Sequence, residues 1–298
     1  MRLGVDFGGA KIEAALLDSQ GEILARRRAP NPGAYFSAID AVRDLAASLE
    51  SEAGARALTA GVGMPGSLSP ASGLVRNANS VWLNGRPFLS DLEAALNRPV
   101  RVENDANCFA LSEAVDGAAA HGRVVFGVIL GSGCCGGVVV DKKLVAGTSA
   151  VGGEWGHTPL PWAHAEEVAP RDWCGRFGCL EQWISGSGFR RWAGLSAEEA
   201  NARAQAGDCA ALAKLDMLAD RIARGLAVVV DILDPDVVVL GGGVSNVEFL
   251  YGAIRSKLIA YVFSDVVKTE VVKHKHGDSS GVRGAAWLFG AEEAVLAQ

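Results

Sequence analysis

The sequence lacks an excess of basic residues. Its 28 lysine and arginine residues are outnumbered by 34 aspartate and glutamate residues, which gives a formal net charge of −6. Proteins that bind nucleic acid carry a basic stripe or patch, and the sequence has no such stripe. The charge balance therefore argues against nucleic acid as a partner. Any phosphate must be held locally, by backbone amides or by a metal ion.

The sequence also lacks an apolar run that could cross a membrane. The best candidate, residues 225–244, contains three aspartates and Pro235, so no span of about 20 apolar residues survives. A secretory signal is not expected either, because Asp6 falls where a signal peptide needs its apolar region. We therefore expect a cytoplasmic protein without a membrane partner, and the sequence leaves a homodimer open.

Cysteine is scarce and irregularly placed. Six cysteines in a chain of 298 residues suit a reducing compartment better than a disulfide framework. One pair stands out, because Cys174 and Cys179 surround glycines in a short loop and His157 lies upstream of them. These residue types at this spacing predict a tetrahedral zinc site, with Glu154 and Glu181 at its edges to grip a polar ligand. The alternative is a pair of buried free cysteines beside a hydrogen-bonded histidine.

Hydrophobic periodicity predicts the same order of elements twice. Runs with β-strand patterning at residues 3–6, 12–18 and 22–28 open the chain, and the elements of the first half follow the order βββαβαβα. A second meander, with runs at residues 124–130 and 137–141 and a short run at residue 144, starts the same order again. Two such halves predict two mixed-sheet α/β domains around a central cleft, with ligands over strand ends and helix N-termini.

The predicted domain boundary lies at residues 117–123, where one helix has ended and no strand has begun. We expect a small N-terminal domain of residues 1–117, joined by a C-terminal helix of about residues 284–298. The large C-terminal domain is expected to span residues 118–283 and to carry the metal-binding insertion.

Two glycine clusters can offer backbone amides to a phosphate, and a third can form a flat surface for a nucleotide base and ribose. The first follows Asp6, which could hold a hydrated Mg²⁺; the second, at residues 131–137, again lies between strands; and the third, at residues 241–243, precedes a helix. Neither of the first two has the Gly-x-x-x-x-Gly-Lys-Ser/Thr pattern, which excludes a P-loop, and the third does not form Gly-x-Gly-x-x-Gly. Each cluster alone is also compatible with an ordinary turn. The residues predicted to bind ATP and its Mg²⁺ are Asp6, Gly8, Gly9, Ala10, Lys11, Gly131, Ser132, Gly133, Gly241, Gly242 and Gly243.

Asp105 is the candidate proton acceptor. It follows Asn104 where the strand at residues 100–102 turns into a helix. Asp105 can act as an N-cap that stabilises the helix by ~1 kcal/mol, or it can accept a hydroxyl proton during phosphoryl transfer while Asn104 orients the hydroxyl. Gly66, in a turn after a strand, can present a backbone amide to a sugar. The amide side chains of residues 77–79 suit polyol recognition, because each amide both donates and accepts hydrogen bonds.

Together these motifs resemble the ROK family of repressors, open reading frames and sugar kinases, over nearly the whole chain. The resemblance implies a duplicated actin-like (hexokinase-like) α/β fold and an ATP-dependent hexose 6-phosphotransferase. Residues 77–85, 232–243 and 276–287 are similar to the bacterial fructokinase, or manno(fructo)kinase, branch, which implies fructose as the favoured substrate. Glucose, mannose or N-acetyl-hexosamine kinases of the same family, or a non-catalytic sugar sensor, are the alternatives. A family regulator is disfavoured, because the chain starts directly on the strand that holds Asp6.

The resemblance also implies roles for individual residues. Asp105 is the implied general base, and His157 is implied to bind a structural Zn²⁺ through one ring nitrogen and the sugar through the other. The implied metal ligands are His157, Asp172, Cys174 and Cys179. The implied hexose ligands are Asn79, Asn104, Asp105, Glu154, His157 and Glu181, in addition to Gly66.

Three positions depart from the family's pattern. Ala10 replaces the usual threonine of the first phosphate turn, and Cys135 stands where the second turn usually has glycine. Asp172 stands where the first of three cysteine ligands belongs. The first two substitutions are expected to affect ATP affinity, and the third is expected to affect zinc binding. We expect Asp172 to supply a carboxylate ligand in place of the thiolate.

Overall fold

The structure is a computed structural model, and it describes residues 1–290. Within that range the chain forms two five-stranded sheets, a two-stranded sheet and the helices around them. It splits into two compact units. Unit 1 consists of residues 1–117, 146–152 and 276–290, and unit 2 consists of residues 118–145 and 153–275.

Unit 1 begins with three antiparallel strands. Its strands are β1 (Arg2–Phe7), β2 (Lys11–Leu17), β3 (Ile23–Pro30), β4 (Ala60–Met64), β5 (Ser67–Leu68), β6 (Val75–Arg76) and β7 (Val100–Asn104). Its helices, in the same stretch of chain, are α1 (Tyr35–Ala53), α2 (Phe88–Leu96) and α3 (Asp105–Val115). The main sheet has the strand order β3-β2-β1-β4-β7, in which β1, β4 and β7 are parallel.

The core of unit 1 lies between this sheet and helices α1 and α2. Strands β1 and β4 are almost wholly buried, because both faces of a central strand in an α/β layer are covered. Phe7 of β1 meets Phe88 of α2 edge to face, with ring centroids 4.9 Å apart. Helix α1 buries the residues spaced three and four apart along one face, as an amphipathic helix does.

Unit 2 repeats the same plan. Its strands are β8 (Val124–Leu130), β9 (Cys134–Val140), β10 (Lys143–Leu144), β11 (Val237–Gly241) and β12 (Glu270–Lys273). Its helices are α4 (Glu181–Ile184), α5 (Gly186–Ala193), α6 (Ala197–Gln205), α7 (Cys209–Leu233) and α8 (Phe249–Leu258). The strand order is β10-β9-β8-β11-β12, with β8 and β9 antiparallel and β8, β11 and β12 parallel. The predicted duplicated α/β fold is therefore confirmed.

Helix α9 (Ser280–Ala286) comes late in the chain and packs on unit 1. A Cβ at Gly4 of β1 would lie 2.1 Å from the carbonyl oxygen of Val282, and one at Gly61 of β4 would lie 1.7 Å from that of Ala285. Both strands therefore need glycine where the helix crosses them. No helix among residues 1–290 combines the length and the hydropathy that crossing a membrane requires.

Several predicted bounds differ from the observed ones. Strand β9 starts at Cys134, three residues before the predicted start, because backbone pairing with β8 extends through the glycines. The predicted helix of residues 284–298 corresponds to α9, which begins earlier, and residues 291–298 lie outside the described residues. Two segments predicted for the second domain, residues 146–152 and 276–283, belong to unit 1 instead.

Candidate active site and metal cluster

Asp6 lies near the end of β1, directly before the first glycine turn. Its Cα pairs with that of Glu13 across the hairpin, and a Cβ at Gly281 would lie 3.2 Å from its carboxyl group. Burial, followed by the neighbouring carboxylates of Asp105 and Glu13, raises the pKa of Asp6 to about 6. A divalent cation beside Asp6 would relieve this repulsion and favour the ionised form. The environment therefore fits the predicted Mg²⁺ role.

The first glycine turn is accessible, as a phosphate site requires. Gly9, Ala10 and Lys11 are exposed, and the side-chain amide of Asn31 donates to the carbonyl of Gly8 at 2.7 Å. A Cβ at Gly9 would lie 3.2 Å from the hydroxyl of Ser80. The turn thus lies beside the loop that carries Asn79.

Asn104, rather than Asp105, caps helix α3. The side-chain oxygen of Asn104 accepts from the backbone N–H of Ala106 at 2.9 Å, and Asp105 is the first helical residue. An oxygen of Asp105 also accepts from Ala106 N–H, at 2.8 Å. Asp105 was expected at or near the N-cap, and it lies one residue after it. Asn104 is the N-cap, because its backbone is extended and its side chain accepts the capping hydrogen bond.

Gly66 connects the loop of residues 77–79 to Asn104. The side-chain amide of Asn104 donates to the carbonyl of Gly66 at 3.1 Å. Gly66 has φ of +80°, and a Cβ there would lie 2.5 Å from the carbonyl of Arg76 and 2.7 Å from the amide nitrogen of Ala78. Only glycine fits this position. Unit 1 thus brings Gly66, Asn104 and the exposed Asn79 into one group of adjacent segments.

Unit 2 brings together the other two glycine clusters. Gly131, Ser132 and Gly133 join β8 to β9, while Gly241 ends β11 and Gly243 begins a 3₁₀ turn. Gly242 has φ of +79°, and a Cβ there would lie 2.5 Å from the carbonyl oxygen of Leu130 and 2.8 Å from the amide nitrogen of Gly131. The two turns therefore touch through backbone atoms. Cys135 lies in β9 opposite Ile129, so its bulk is in the strand and not in the turn itself.

The start of β9 also supports the predicted sugar ligands of unit 2. Glu154 precedes a 3₁₀ turn that ends at His157, and a Cβ at Gly156 of that turn would lie 2.0 Å from the carbonyl oxygen of Cys134. The backbone N–H of Cys134 donates to an oxygen of Glu181 at 2.8 Å. Cys134 is thus the common support for the Glu154–His157 segment and for Glu181.

The four predicted metal ligands form a cluster. Their potential ligand atoms all lie within 4.8 Å of one another. Nδ1 of His157 is 3.3 Å from an oxygen of Asp172, and the sulfurs of Cys174 and Cys179 are 3.6 Å apart. Short backbone pairings hold the segments in register, with Leu180 N–H donating to the carbonyl of Thr158 at 2.7 Å and Leu160 N–H donating to that of Gly178 at 3.0 Å.

The donor set fits a zinc ion. Zinc–ligand distances of about 2.0–2.3 Å place tetrahedral ligand atoms roughly 3.3–3.8 Å apart, the range in which both closest pairs fall. Within the described residues, Nδ1 of His157 is buried without a hydrogen-bond partner, which suits a metal ligand. Burial alone would raise the pKa of Asp172, but hydrogen bonds from Cys174 and Gln182 bring it below its usual range. Asp172 is therefore held as a carboxylate.

Two residues that the sequence did not point to orient these groups. Gln182 donates its side-chain N–H to an oxygen of Asp172 at 2.6 Å, and Trp173 donates its indole N–H to Glu181 at 2.9 Å. Their positions next to Glu181 and Asp172 in the sequence were the only available signal. Neither residue type is distinctive by itself.

The comparisons with known proteins agree with this architecture. A model of the ROK family matches residues 2–292. An N-acetyl-D-glucosamine kinase from Vibrio parahaemolyticus is 39% identical over 300 residues, covering 97% of this chain and 99% of that protein. The crystal structure of the ROK hexokinase from Thermus thermophilus has a TM-score of 0.85 at 32% identity and covers 96% of this chain and 97% of that one. A ROK family glucokinase from Streptomyces griseus, in complex with glucose and AMPPNP, has a TM-score of 0.77 at 27% identity, with coverage of 96% and 97%.

These relatives do not support the predicted fructokinase branch. The Vibrio protein is named for N-acetyl-D-glucosamine, and the two solved structures are named as a hexokinase and a glucokinase. The short segments that suggested fructose are therefore a weaker guide to the substrate than likeness along the whole chain. At the level of the family the agreement is complete, and the chain belongs to the ROK family.

Proposed function

We propose that this chain is an ATP-dependent kinase that transfers the γ-phosphoryl group of Mg·ATP to the 6-hydroxyl of N-acetyl-D-glucosamine. The observation that carries the proposal is the 39% identity to an N-acetyl-D-glucosamine kinase over 97% of the chain. The match also covers 99% of that kinase. The proposal replaces fructose by an N-acetyl-hexosamine, one of the alternatives that the sequence left open.

In the proposed mechanism, Asp105 accepts the proton of the attacking hydroxyl as the phosphoryl group is transferred. Its backbone is fixed as the first residue of α3, and Asn104 is fixed by bonds to Gly66 and Ala106. Because both neighbours are held, the carboxylate of Asp105 is presented from a rigid helix end. Such preorganisation is what a general base needs.

The proposed nucleotide-binding groups are the glycine turns. Asp6 would hold Mg²⁺, which neutralises charge on the phosphates, and the backbone N–H groups of Gly8, Gly9, Gly131 and Gly133 would contact phosphate oxygens. Ala10 offers no hydroxyl there, so backbone amides carry the contact in this chain. The shelf formed by Gly241, Gly242 and Gly243 is proposed for the base and ribose.

The proposed hexose ligands of unit 2 are Glu154, His157 and Glu181, and Asn79 and Gly66 are the proposed additions from unit 1. A Zn²⁺ held by His157, Asp172, Cys174 and Cys179 would act structurally, by fixing the imidazole of His157 through Nδ1. The opposite ring nitrogen, Nε2, would then be the one to meet a sugar hydroxyl.

An ADP-coupled assay with Mg·ATP tests the proposal against a panel of N-acetyl-D-glucosamine, N-acetyl-D-mannosamine, glucose, mannose and fructose. We expect N-acetyl-D-glucosamine to give the highest kcat/KM. A higher value for fructose would restore the fructokinase hypothesis and leave the kinase activity standing. No ADP release with any sugar would favour a non-catalytic sugar sensor.

A further inference from the structure

Trp173 is an exposed aromatic residue within the metal cluster that the functional assignment leaves without a role. It lies between Asp172 and Cys174, and 65% of its surface is exposed. Its indole N–H donates to Oε1 of Glu181 at 2.9 Å. Its ring also meets that of His157 edge to face, at 79° and 5.1 Å between centroids. One side chain thus contacts two of the proposed hexose ligands.

Glu181 is held at both of its carboxylate oxygens. Oε2 accepts from the backbone N–H of Cys134 at 2.8 Å, while Oε1 accepts from Trp173. A Cβ at Gly133 would lie 2.7 Å from Oε2, so the glycine turn leaves space for the carboxylate. Two donors on opposite oxygens fix the plane of the carboxylate, and only one of the two is a side chain.

Burial gives no reason for a tryptophan at this position. An exposed indole gains little from the hydrophobic effect, and ordering its side chain costs conformational entropy. Its two directed contacts, to Glu181 and His157, are the remaining reason for a tryptophan here. Both contacts join the loop of residues 172–179 to residues outside it, since His157 ends the 3₁₀ turn of residues 155–157 and Glu181 begins α4.

We propose that Trp173 is a positioning residue that holds Glu181 and His157 in the geometry needed for hexose binding. The inference rests on the proposed function, because it takes both residues as hexose ligands. Trp173 would act on hexose affinity through the orientation of these two side chains. The neighbouring metal ligands Asp172 and Cys174 fix its backbone on both sides.

The test separates the indole N–H from the ring. Trp173→Phe keeps a ring beside His157 but removes the donor to Glu181, whereas Trp173→Gln keeps an N–H donor of similar reach and removes the ring. When the indole N–H is removed, water can take over part of the hydrogen bond to Glu181. The loss of such a bond therefore lowers affinity by roughly 3- to 10-fold. We therefore expect Trp173→Phe to raise the KM and the calorimetric Kd for the hexose by roughly that factor.

The KM for ATP and the metal content should stay unchanged in Trp173→Phe, and kcat should change by less than about twofold, because the lost binding is present in the ground state as well. Trp173→Gln should recover part of the hexose affinity. The control is Trp162→Phe, the same substitution at an exposed tryptophan that stacks on Tyr261. Wild-type hexose affinity in Trp173→Phe would overturn the inference, as would an equal loss in the control.

The hexose used is the one with the highest wild-type kcat/KM in the panel. If that hexose is not N-acetyl-D-glucosamine, the proposed substrate is wrong, while the role of Trp173 is still decided by the change in affinity for the hexose that does bind. A chain that binds no hexose would overturn both.

Discussion

Asp105 is the first residue of α3, and Asn104 before it supplies the cap. This separation of tasks means that the carboxylate can be altered with little effect on the helix. We predict that Asp105→Asn lowers kcat by roughly 10²–10⁴, the usual contribution of a positioned base. Hexose binding and the free energy of unfolding should barely change.

Steady-state kinetics and denaturant unfolding check this prediction. The matched variant is Asn104→Ala, which removes the cap and is expected to cost about 1 kcal/mol of stability. Near-normal turnover in Asp105→Asn would show that the carboxylate takes no part in proton transfer.

The raised pKa of Asp6 leads to a prediction of how activity depends on pH. Burial and the carboxylates of Asp105 and Glu13 raise its pKa from 3.8 to about 6. Mg²⁺ binding requires the ionised form, so kcat/KM for Mg·ATP should fall as the pH drops through about 6 at low Mg²⁺. Higher Mg²⁺ should move this limb to lower pH, because the cation binds only the carboxylate. A profile measured at two Mg²⁺ concentrations checks both statements, and an unshifted limb would contradict the assignment.

Ionisation of Asp6 has opposite effects on stability and on activity. A carboxyl whose pKa is raised by folding favours the folded state when protonated, so its contribution is full below pH 3.8 and is lost as the pH rises through about 6. In the absence of Mg²⁺, Asp6→Asn should therefore be more stable than the wild type at pH 8. When Mg²⁺ is present, the same variant should bind Mg·ATP more weakly.

At the scale of elements, the loop of residues 172–179 contains one unusual candidate ligand for the proposed zinc site. Asp172 is buried and held by Gln182 and by the backbone N–H of Cys174. We predict about one Zn²⁺ per wild-type chain, much less in Asp172→Ala, and retention in Asp172→Cys, which restores a thiolate. Elemental analysis after dialysis measures this. Equal zinc in wild type and Asp172→Ala would show that Asp172 is not a ligand.

A carboxylate is a harder ligand than a thiolate, so the wild-type site should lose zinc to a chelator more readily than Asp172→Cys does. Removal of zinc by the chelator should raise the KM for the hexose at chelator concentrations that do not yet unfold the protein. The Asp172→Cys variant serves as the control, because its hexose affinity should resist the same chelator concentration.

The sequence predicted most of the elements, because hydrophobic periodicity is a local pattern. Residue type and spacing pointed to His157, Cys174 and Cys179, whereas Asp172 came only from comparison with the family's pattern. Strand β8 was predicted at its observed bounds, since an apolar run between polar residues is a strong signal. Strand β9 was predicted to start late, because its glycines resemble a turn and only pairing with β8 makes them a strand. Trp173 and Gln182 were missed, because their contacts depend on how loops meet in space.

At the scale of the whole molecule, each unit contains the same five-stranded plan with a glycine turn between its first two strands. Unit 1 is completed only by α9, which comes after all of unit 2 in the sequence. The contact is backbone to backbone, because a Cβ at Gly61 would lie 1.7 Å from the carbonyl oxygen of Ala285. A side chain there would push the helix off the sheet.

We predict that Gly61→Ala destabilises the protein by about 3 kcal/mol or more, at the upper end of overpacking effects, because backbone atoms cannot yield as a side chain can. Gly252→Ala is the control, since Gly252 lies in α8 with open space around a new Cβ, and it should gain about 0.5–1 kcal/mol. Chemical denaturation measures both. A mild effect of Gly61→Ala would show that α9 is loosely seated.

The late position of α9 also orders events during biosynthesis. The ribosome makes the strands of unit 1 first, but the helix that covers β1 and β4 emerges only after unit 2 has been translated. The end of α9 lies 222 residues after the end of β4 (286 − 64), so at about 5–20 residues per second the nascent chain carries this uncovered sheet face for roughly 10–45 seconds. A cell that makes this protein therefore has to shield an unfinished apolar surface while translation continues. Chaperones should bind mainly to the sheet of unit 1 during that time.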